Sequence, residues 1–161
     1  MKRSKKKQIV IVGAGLIGST MAIALASQGF DVTVVDGAKH SDRIERNKGR
    51  TYALSRTSKN LLFNLGLWDQ KKLNVSPIKN IVLSTKRDSN DLIRHLAEFN
   101  EESSSIDPSS YMIEDFYLRN TLASEINKNK KIQLLDSSEV IQDETNSFET
   151  KIMLSDKSSI S

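Results

Sequence analysis

Residues 8–36 read QIVIVGAGLIGSTMAIALASQGFDVTVVD, and this stretch decides the fold. Ile9, Val10, Ile11 and Val12 form an unbroken apolar run, the pattern of a parallel strand covered on both faces. Gly13, Gly15 and Gly18 follow in G-x-G-x-x-G spacing, with Ala14, Leu16 and Ile17 between them. The first glycine permits a sharp turn out of the strand. The second leaves the backbone open to a pyrophosphate, and the third lets the helix lie close to the sheet. Phosphates would sit on the unpaired N–H groups of the helix N-terminus. Ala22 and Leu25 share the helix face of Gly18, and Gly29 is expected to end the helix with a positive φ. Val32, Val34 and Val35 make a second strand that ends in Asp36. An acid there, roughly 20 residues beyond the glycines, accepts both hydroxyls of an adenosine ribose and repels a 2′-phosphate. An ordinary strand–turn–helix that binds nothing is the weaker reading of the same stretch. Gly13, Ala14, Gly15, Leu16, Ile17, Gly18 and Asp36 are therefore candidate cofactor-binding residues.

The composition narrows the class. At 161 residues the chain is one domain's worth, or one domain with a small excursion. A hydrophobic content of 37% and a mean hydropathy of −0.42 suit a soluble protein, and no run approaches the ~18 apolar residues of a membrane span. The absence of cysteine excludes disulfides, thiolate metal sites and cysteine nucleophiles, and it fits a reducing compartment. No signal peptide is expected, because the apolar run behind the basic start breaks at Gly13. The net charge of +4 is carried by Lys2, Arg3, Lys5, Lys6 and Lys7, and the rest of the chain is close to neutral. Residues 1–7 are thus a basic tail, read as a solvated, frayed terminus in preference to a weak contact with anionic lipid. No nucleic-acid-binding face is expected.

Beyond Asp36, Gly37 to Lys48 is polar and reads as a loop or a short exposed helix. Arg56 to Leu65 reads as a helix capped by Ser55, with Leu61, Leu62 and Leu65 as its buried face and Gly66 at its end. Leu67 and Trp68 are expected to pack as the chain turns. Ile78 to Thr85 reads as a strand, while Asp91 to Asn100 fits helix or strand by periodicity. Glu101 to Ser110 reads as a polar loop. A helix is expected from Glu114-Asp115 through about Asn127, with Leu118, Leu122 and Ile126 as its apolar stripe. Lys131 to Leu135 reads as a strand. Glu139 to Gln142 and Phe148 to Leu154 read as a hairpin around Asp143 to Ser147. His40 and His95 have no partner at metal-binding or catalytic spacing, Tyr52 reads as packing, and Glu114 and Asp115 read as acids placed favourably at a helix N-terminus.

Three blocks, taken in order, carry a resemblance. The first is the glycine turn with Asp36. The second is Arg50-Thr51-Tyr52-Ala53-Leu54-Ser55 with Leu65-Gly66-Leu67-Trp68. The third is Tyr111-Met112-Ile113-Glu114-Asp115 with Leu118-Arg119. Together they resemble the flavin-dependent aromatic hydroxylases, in particular the ubiquinone-biosynthesis hydroxylase branch, whose segments run R-x-x-A-L-S … L-G-L-W and Y-x-V-E-N-x-x-L-R. The family pattern has Asn where this chain has Asp115, so the resemblance gives that side chain no role. It implies an α/β fold with a Rossmann-like FAD-binding βαβ and a parallel sheet. Part of a β-rich substrate-domain excursion would begin within 76–110. It also implies a monooxygenase in which NAD(P)H reduces FAD, and the reduced flavin and dioxygen hydroxylate an electron-rich ring. By position, Gly13, Gly15 and Gly18 would hold the FAD pyrophosphate and Asp36 the ribose. Arg50 would lie on the flavin side, and Arg119 would approach the cofactor from its helix. On the same template Asp91 to Asn100 is a strand.

Members of that family continue past this length, through an Asp-Gly motif and a Gly-Asp motif that complete the flavin and NAD(P)H sites. Residues 8–161 would then be the N-terminal portion of an FAD-binding domain, with the C-terminal part of the fold missing and a strand absent beside the first. The expected partners are a prenylated phenol or quinone precursor, with a complementing C-terminal chain or other ubiquinone-biosynthesis proteins. The expected location is cytoplasmic, peripheral at the inner membrane face. The alternatives are a non-catalytic remnant or adenine-dinucleotide-binding module, and a generic NAD-binding protein.

Overall fold

Strand β1 (Gln8–Val12) leaves through the glycine turn into helix α1 (Leu16–Ser27), which returns the chain to β2 (Asp31–Val35), parallel to β1. This computed structural model describes residues 8–86, 93–100, 108–147 and 149–160, and the basic tail lies outside them. The turn is closed by the Gly13 N–H donating to the Val35 carbonyl at 2.7 Å. Gly13 sits at φ +105°, a conformation side chains rarely adopt. Gly18 answers a different constraint, because a Cβ placed there would lie 1.9 Å from the Gly13 carbonyl oxygen. Helix α1 rests against the turn's own backbone, and its buried residues Ser19, Ala22, Ile23 and Ala26 are mostly small enough to allow that approach. Gly29 ends the helix at φ +94°, as expected.

The following elements are α2 (His40–Arg46), β3 (Thr51–Ser55), α3 (Arg56–Asn64), α4 (Gln70–Leu73), β4 (Ser76–Pro77), β5 (Asn80–Lys86) and β6 (Ile93–Asn100). The chain continues with β7 (Ser110–Glu114), α5 (Asp115–Lys128), β8 (Ile132–Leu135), β9 (Val140–Thr145), β10 (Thr150–Leu154) and β11 (Ser159–Ile160). Strand β8 pairs with β2 in parallel, giving the order β1-β2-β8 with β2 in the centre and β1 at an edge. The other strands form a β3-β7-β4 sheet, a β5-β6 pair and a β9-β10-β11 sheet.

The parallel sheet is covered on both faces, and alternation along its strands shows how. Val34, Ile11 and Leu134 pack with α1 and α5, whereas Val35, Val10 and Leu135 pack with Ile152 and Leu154 of β10. Side chains of a strand alternate in direction, so adjacent residues serve opposite layers. Helix α5 seals the first layer through Leu118, Leu122 and Ile126, the stripe expected from sequence. Each fully buried Leu or Ile of this kind contributes roughly 1.5–3 kcal/mol.

Ser55 caps α3 as expected, its hydroxyl accepting the Ser58 N–H at 3.2 Å. The expected buried face is corrected at one position: Leu62 is buried, but Leu61 is 47% exposed. Successive helical residues point about 100° apart, and with Leu62 at the centre of a narrow contact Leu61 turns to solvent. Leu67 is buried and the Trp68 ring meets Tyr111 edge-on at 5.2 Å. Over 93–100, the described part of the ambiguous segment, the chain is strand, since β6 pairs antiparallel with β5 from Asn80↔Asn100 to Lys86↔Ile93. Most of the 101–110 loop lies outside the described residues. The late hairpin is longer than expected: β9 runs to Thr145, and Asn146 accepts the Glu149 N–H to close a shorter turn. Among the described residues no helix is long and apolar enough to cross a membrane.

Candidate dinucleotide-binding site

A shallow, solvent-open cleft lies beside the glycine turn. Ala14, Gly15, Leu16 and Ser19 line one side, Ala38, His40 and Arg43 a second, and Arg119, Leu122, Ala123 and Ile126 of α5 a third. Leu134 and Asp136 complete it from the end of β8. A crevice beyond the carboxyl ends of parallel strands is where open α/β sheets bind ligands.

Gly15 stands at the N-cap of α1 with an ordinary φ of −69°, and a Cβ added there meets nothing within 4 Å. Backbone conformation does not require glycine here. The space its missing side chain leaves opens on the cleft, as a pyrophosphate resting on the helix N-terminus needs. Gly13 shapes the turn and Gly18 admits the helix. Ala14 and Leu16 line the cleft, while Ile17 is 86% exposed and is not among its lining residues.

Asp36 lies at the end of β2, only 3% exposed. Its carboxylate accepts the Ala14 N–H, the Ala38 N–H at 2.8 Å and the guanidinium of Arg43. The acid therefore ties the glycine turn to the exit of β2. Burial, and after it the positive charges of Arg119 and Arg46, lower the pKa of Arg43.

Arg119 reaches the cleft from the first turns of α5, only 7% exposed. Its Nε and Nη2 donate to the two oxygens of Asp115 at 2.8 and 2.7 Å, a bidentate pair. The Tyr52 hydroxyl donates to the same carboxylate at 3.0 Å. Burial by itself would push the Asp115 carboxyl up. Hydrogen bonds from Arg119 and Tyr52, with the charges of Arg119 and Arg50, outweigh it and hold the carboxyl below its usual value. The bond to Asp115 raises the pKa of Arg119 in turn, against burial. Arg50 itself is exposed and is not among the residues lining the cleft. Its carbonyl accepts the Asp115 N–H at 2.9 Å, so it acts on the α5 end of the site through the backbone and its charge.

Three participants escape the motif reading. Asp115 and Arg119 are one helical turn apart, the i,i+4 spacing at which opposite charges meet, so this pair was open to detection. Tyr52 is 63 residues from Asp115, and Arg43 sits on a short helix of unremarked polar sequence; neither leaves a local signal. His40 lines the cleft, His95 is exposed on β6, and the described residues hold no cluster of three or more metal-binding side chains.

The fold defines an α/β protein of Rossmann-like class, with a cleft at the carboxyl ends of its parallel strands. The family model of ketopantoate reductase PanE/ApbA matches residues 9–107, and the chain belongs to that family over this span. It is also 30% identical over 125 residues to the ubiquinone hydroxylase UbiL of Rhodospirillum rubrum, covering 77% of this chain and 28% of that protein. To the 3-demethoxyubiquinol 3-hydroxylase of Escherichia coli strain K12 it is 39% identical over 64 residues, covering 38% of this chain and 16% of that protein. The solved structure of pqsL, a probable FAD-dependent monooxygenase from Pseudomonas aeruginosa, shares the fold with a TM-score of 0.64 at 20% identity, over 95% of this chain and 40% of that one. The chain thus spans less than a third of the length of the curated relatives it matches. The family match ends at residue 107, before β7 and α5, whereas the monooxygenase fold covers nearly the whole chain, so the latter weighs more for architecture.

FAD can be tested against the donor set. The open space at Gly15 and the Arg43 and Arg119 guanidiniums on the cleft fit the diphosphate of the cofactor, while the Asp36 carboxylate is buried behind Arg43 and is not among the lining residues. Gly15 with Arg119 would hold the diphosphate, and Asp36 the ribose end.

Proposed function

We propose that this chain is the cofactor-binding, N-terminal portion of an FAD-dependent monooxygenase that hydroxylates the aromatic ring of a ubiquinone precursor, with NAD(P)H as reductant and dioxygen as co-substrate. The observation that carries the reading is that Arg119, from the third block of sequence, lines the same cleft as the glycine turn. A bare βαβ needs no such helix. Bound FAD would supply the redox chemistry. The residues of this chain would bind and orient it: main-chain N–H groups at Gly15 face the diphosphate, Asp36 takes the ribose, and the Asp115–Tyr52 pair fixes the direction of the Arg119 guanidinium. The substrate class, a prenylated phenol or quinone precursor, follows the names of the two relatives. Peripheral contact with the inner membrane face, where an apolar precursor would reside, and a further polypeptide that completes the enzyme belong to the same proposal.

Retention of flavin tests the reading. The purified chain is mixed with FAD, desalted, and read by absorbance and fluorescence. Bound flavin at near-equal stoichiometry is the expected result, and a flavin-free chain that unfolds cooperatively would overturn it. A second reading, an adenine-dinucleotide-binding module without hydroxylase activity, is favoured by the match of residues 9–107 to the ketopantoate reductase PanE/ApbA family. NAD(P)H-dependent oxygen uptake by the flavin-loaded chain would sink it, and tighter binding of NAD than FAD would support it.

A further inference from the structure

Asp36 is more heavily engaged than a waiting ribose acceptor should be. An ionised carboxylate offers roughly four acceptor positions. The Ala14 N–H takes one on Oδ2, and the Ala38 N–H and the Arg43 guanidinium share Oδ1. One position is left, and the two hydroxyls of a ribose need two. One donor must therefore leave. Ala14 and Ala38 are main-chain donors fixed by the turn and by the exit of β2, so the movable donor is Arg43, whose long side chain is 25% exposed.

Where it would go is also set by its surroundings. Arg43 Nε is buried and has no hydrogen-bond partner among the described residues, so part of its donor fork is unused. The guanidinium lines the cleft with Arg119, close enough that the two cations repel. Arg119 is held by two hydrogen bonds to Asp115 and is the less mobile of the two. An anion between them would relieve the repulsion and satisfy the idle Nε, and a guanidinium fork matches a phosphate.

We infer that Arg43 is a ligand-exchanged binding residue: it holds Asp36 while the cleft is free of nucleotide and moves to the diphosphate when a ribose takes its place. The inference rests on the reading of the cleft as a dinucleotide site. Its consequence is specificity. A nucleoside without phosphate must break the Arg43–Asp36 pair and offers the arginine nothing in return, whereas a nucleoside diphosphate replaces one anionic partner with another. Arg43 thereby makes ribose binding conditional on phosphate.

The test uses the full chain with adenosine and ADP as probes, measured by calorimetry on the wild type, Arg43→Gln and Arg43→Lys. Wild type is expected to prefer ADP over adenosine by about a hundredfold or more. Arg43→Gln should reduce that ratio at least roughly tenfold, the scale of a lost charge-assisted contact, through weaker ADP and unchanged or tighter adenosine. Arg43→Lys, a point charge without the fork, should recover part of the ratio. Equal weakening of both probes would mean that Arg43 only shapes Asp36, and it overturns the inference, as do an unchanged ratio and a wild type that binds neither probe. If Arg43→Gln does not fold, Arg43→Lys decides: a loss confined to ADP supports the exchange and an equal loss refutes it. Flavin retention separates the two readings. A phosphate-dependent ratio without flavin binding removes the hydroxylase reading alone, and flavin binding without that ratio removes this one alone.

Discussion

Two glycines of the same turn should fail in opposite ways when given a methyl group. In Gly18→Ala the new Cβ would stand 1.9 Å from the Gly13 carbonyl oxygen, 3.1 Å from its carbon and 3.4 Å from Ile11 Cγ2. Real Cβ atoms essentially never approach closer than 3.0 Å, and the obstacle is backbone, so α1 and the turn must part by about 1 Å. Overpacking of this kind costs about 1–3 kcal/mol, and a rigid carbonyl places it at the upper end. The helix regains about 1 kcal/mol because alanine is the better helix former. The net loss is about 2 kcal/mol, or a fall in Tm of about 4–8 °C for a domain of this size. In Gly15→Ala the Cβ meets nothing within 4 Å and φ is −69°. Alanine is a poorer N-cap, but it restricts the unfolded chain, and the two effects nearly cancel. Its melting should stay within about 2 °C of wild type, while its methyl stands where a diphosphate would rest and ADP binding falls about tenfold or more. Thermal melts by circular dichroism and ADP titrations read both variants. A Gly18→Ala protein that melts with wild type would refute the close-approach argument. A Gly15→Ala protein that binds ADP normally would refute the placement of the phosphate.

Other outcomes follow from the α5 end of the cleft. Asp115→Ala leaves the Arg119 guanidinium buried without its partner, and denaturant unfolding should show a loss of about 3–5 kcal/mol. Because the folded Asp115 carboxyl lies below its usual value, its stabilisation is complete above the unfolded-state pKa of about 3.9 and is lost as pH falls through the lower folded value. Unfolding free energies of Asp115→Asn should therefore vary less with pH than those of wild type in that acid window. Leu122→Ala empties a position that is 1% exposed between α5 and the sheet, and calorimetry should register a loss of about 2–5 kcal/mol.

Much of the fold was legible because its constraints are local. The glycine spacing and the three valines before Asp36 each state a requirement of the backbone or of a strand with two buried faces, whereas the run Ile9 to Val12 forms an edge strand that is only half-buried, with Val12 64% exposed. The stripe Leu118, Leu122 and Ile126 was readable for the same reason, one helix meeting one surface. Leu61 was not, since an apolar residue on a helix does not reveal how wide the covered face is. The 91–100 segment was not legible from periodicity either, because β5 and β6 expose apolar residues on a two-stranded sheet, which leaves no clean alternation. It took the template of a family to read it as strand.

The candidate site divides along the same line. The sequence by itself determined that a glycine turn stands at the N-terminus of α1 and that an acid ends β2, because both lie within 29 consecutive residues whose order fixes their geometry. Only the tertiary structure decided what those residues face. It set Arg43 on Asp36, joined Tyr52 to Asp115 across 63 residues, and brought Arg119 to the wall opposite the glycines. A hydrogen bond between distant residues depends on where the intervening chain folds back, and no local pattern records that path.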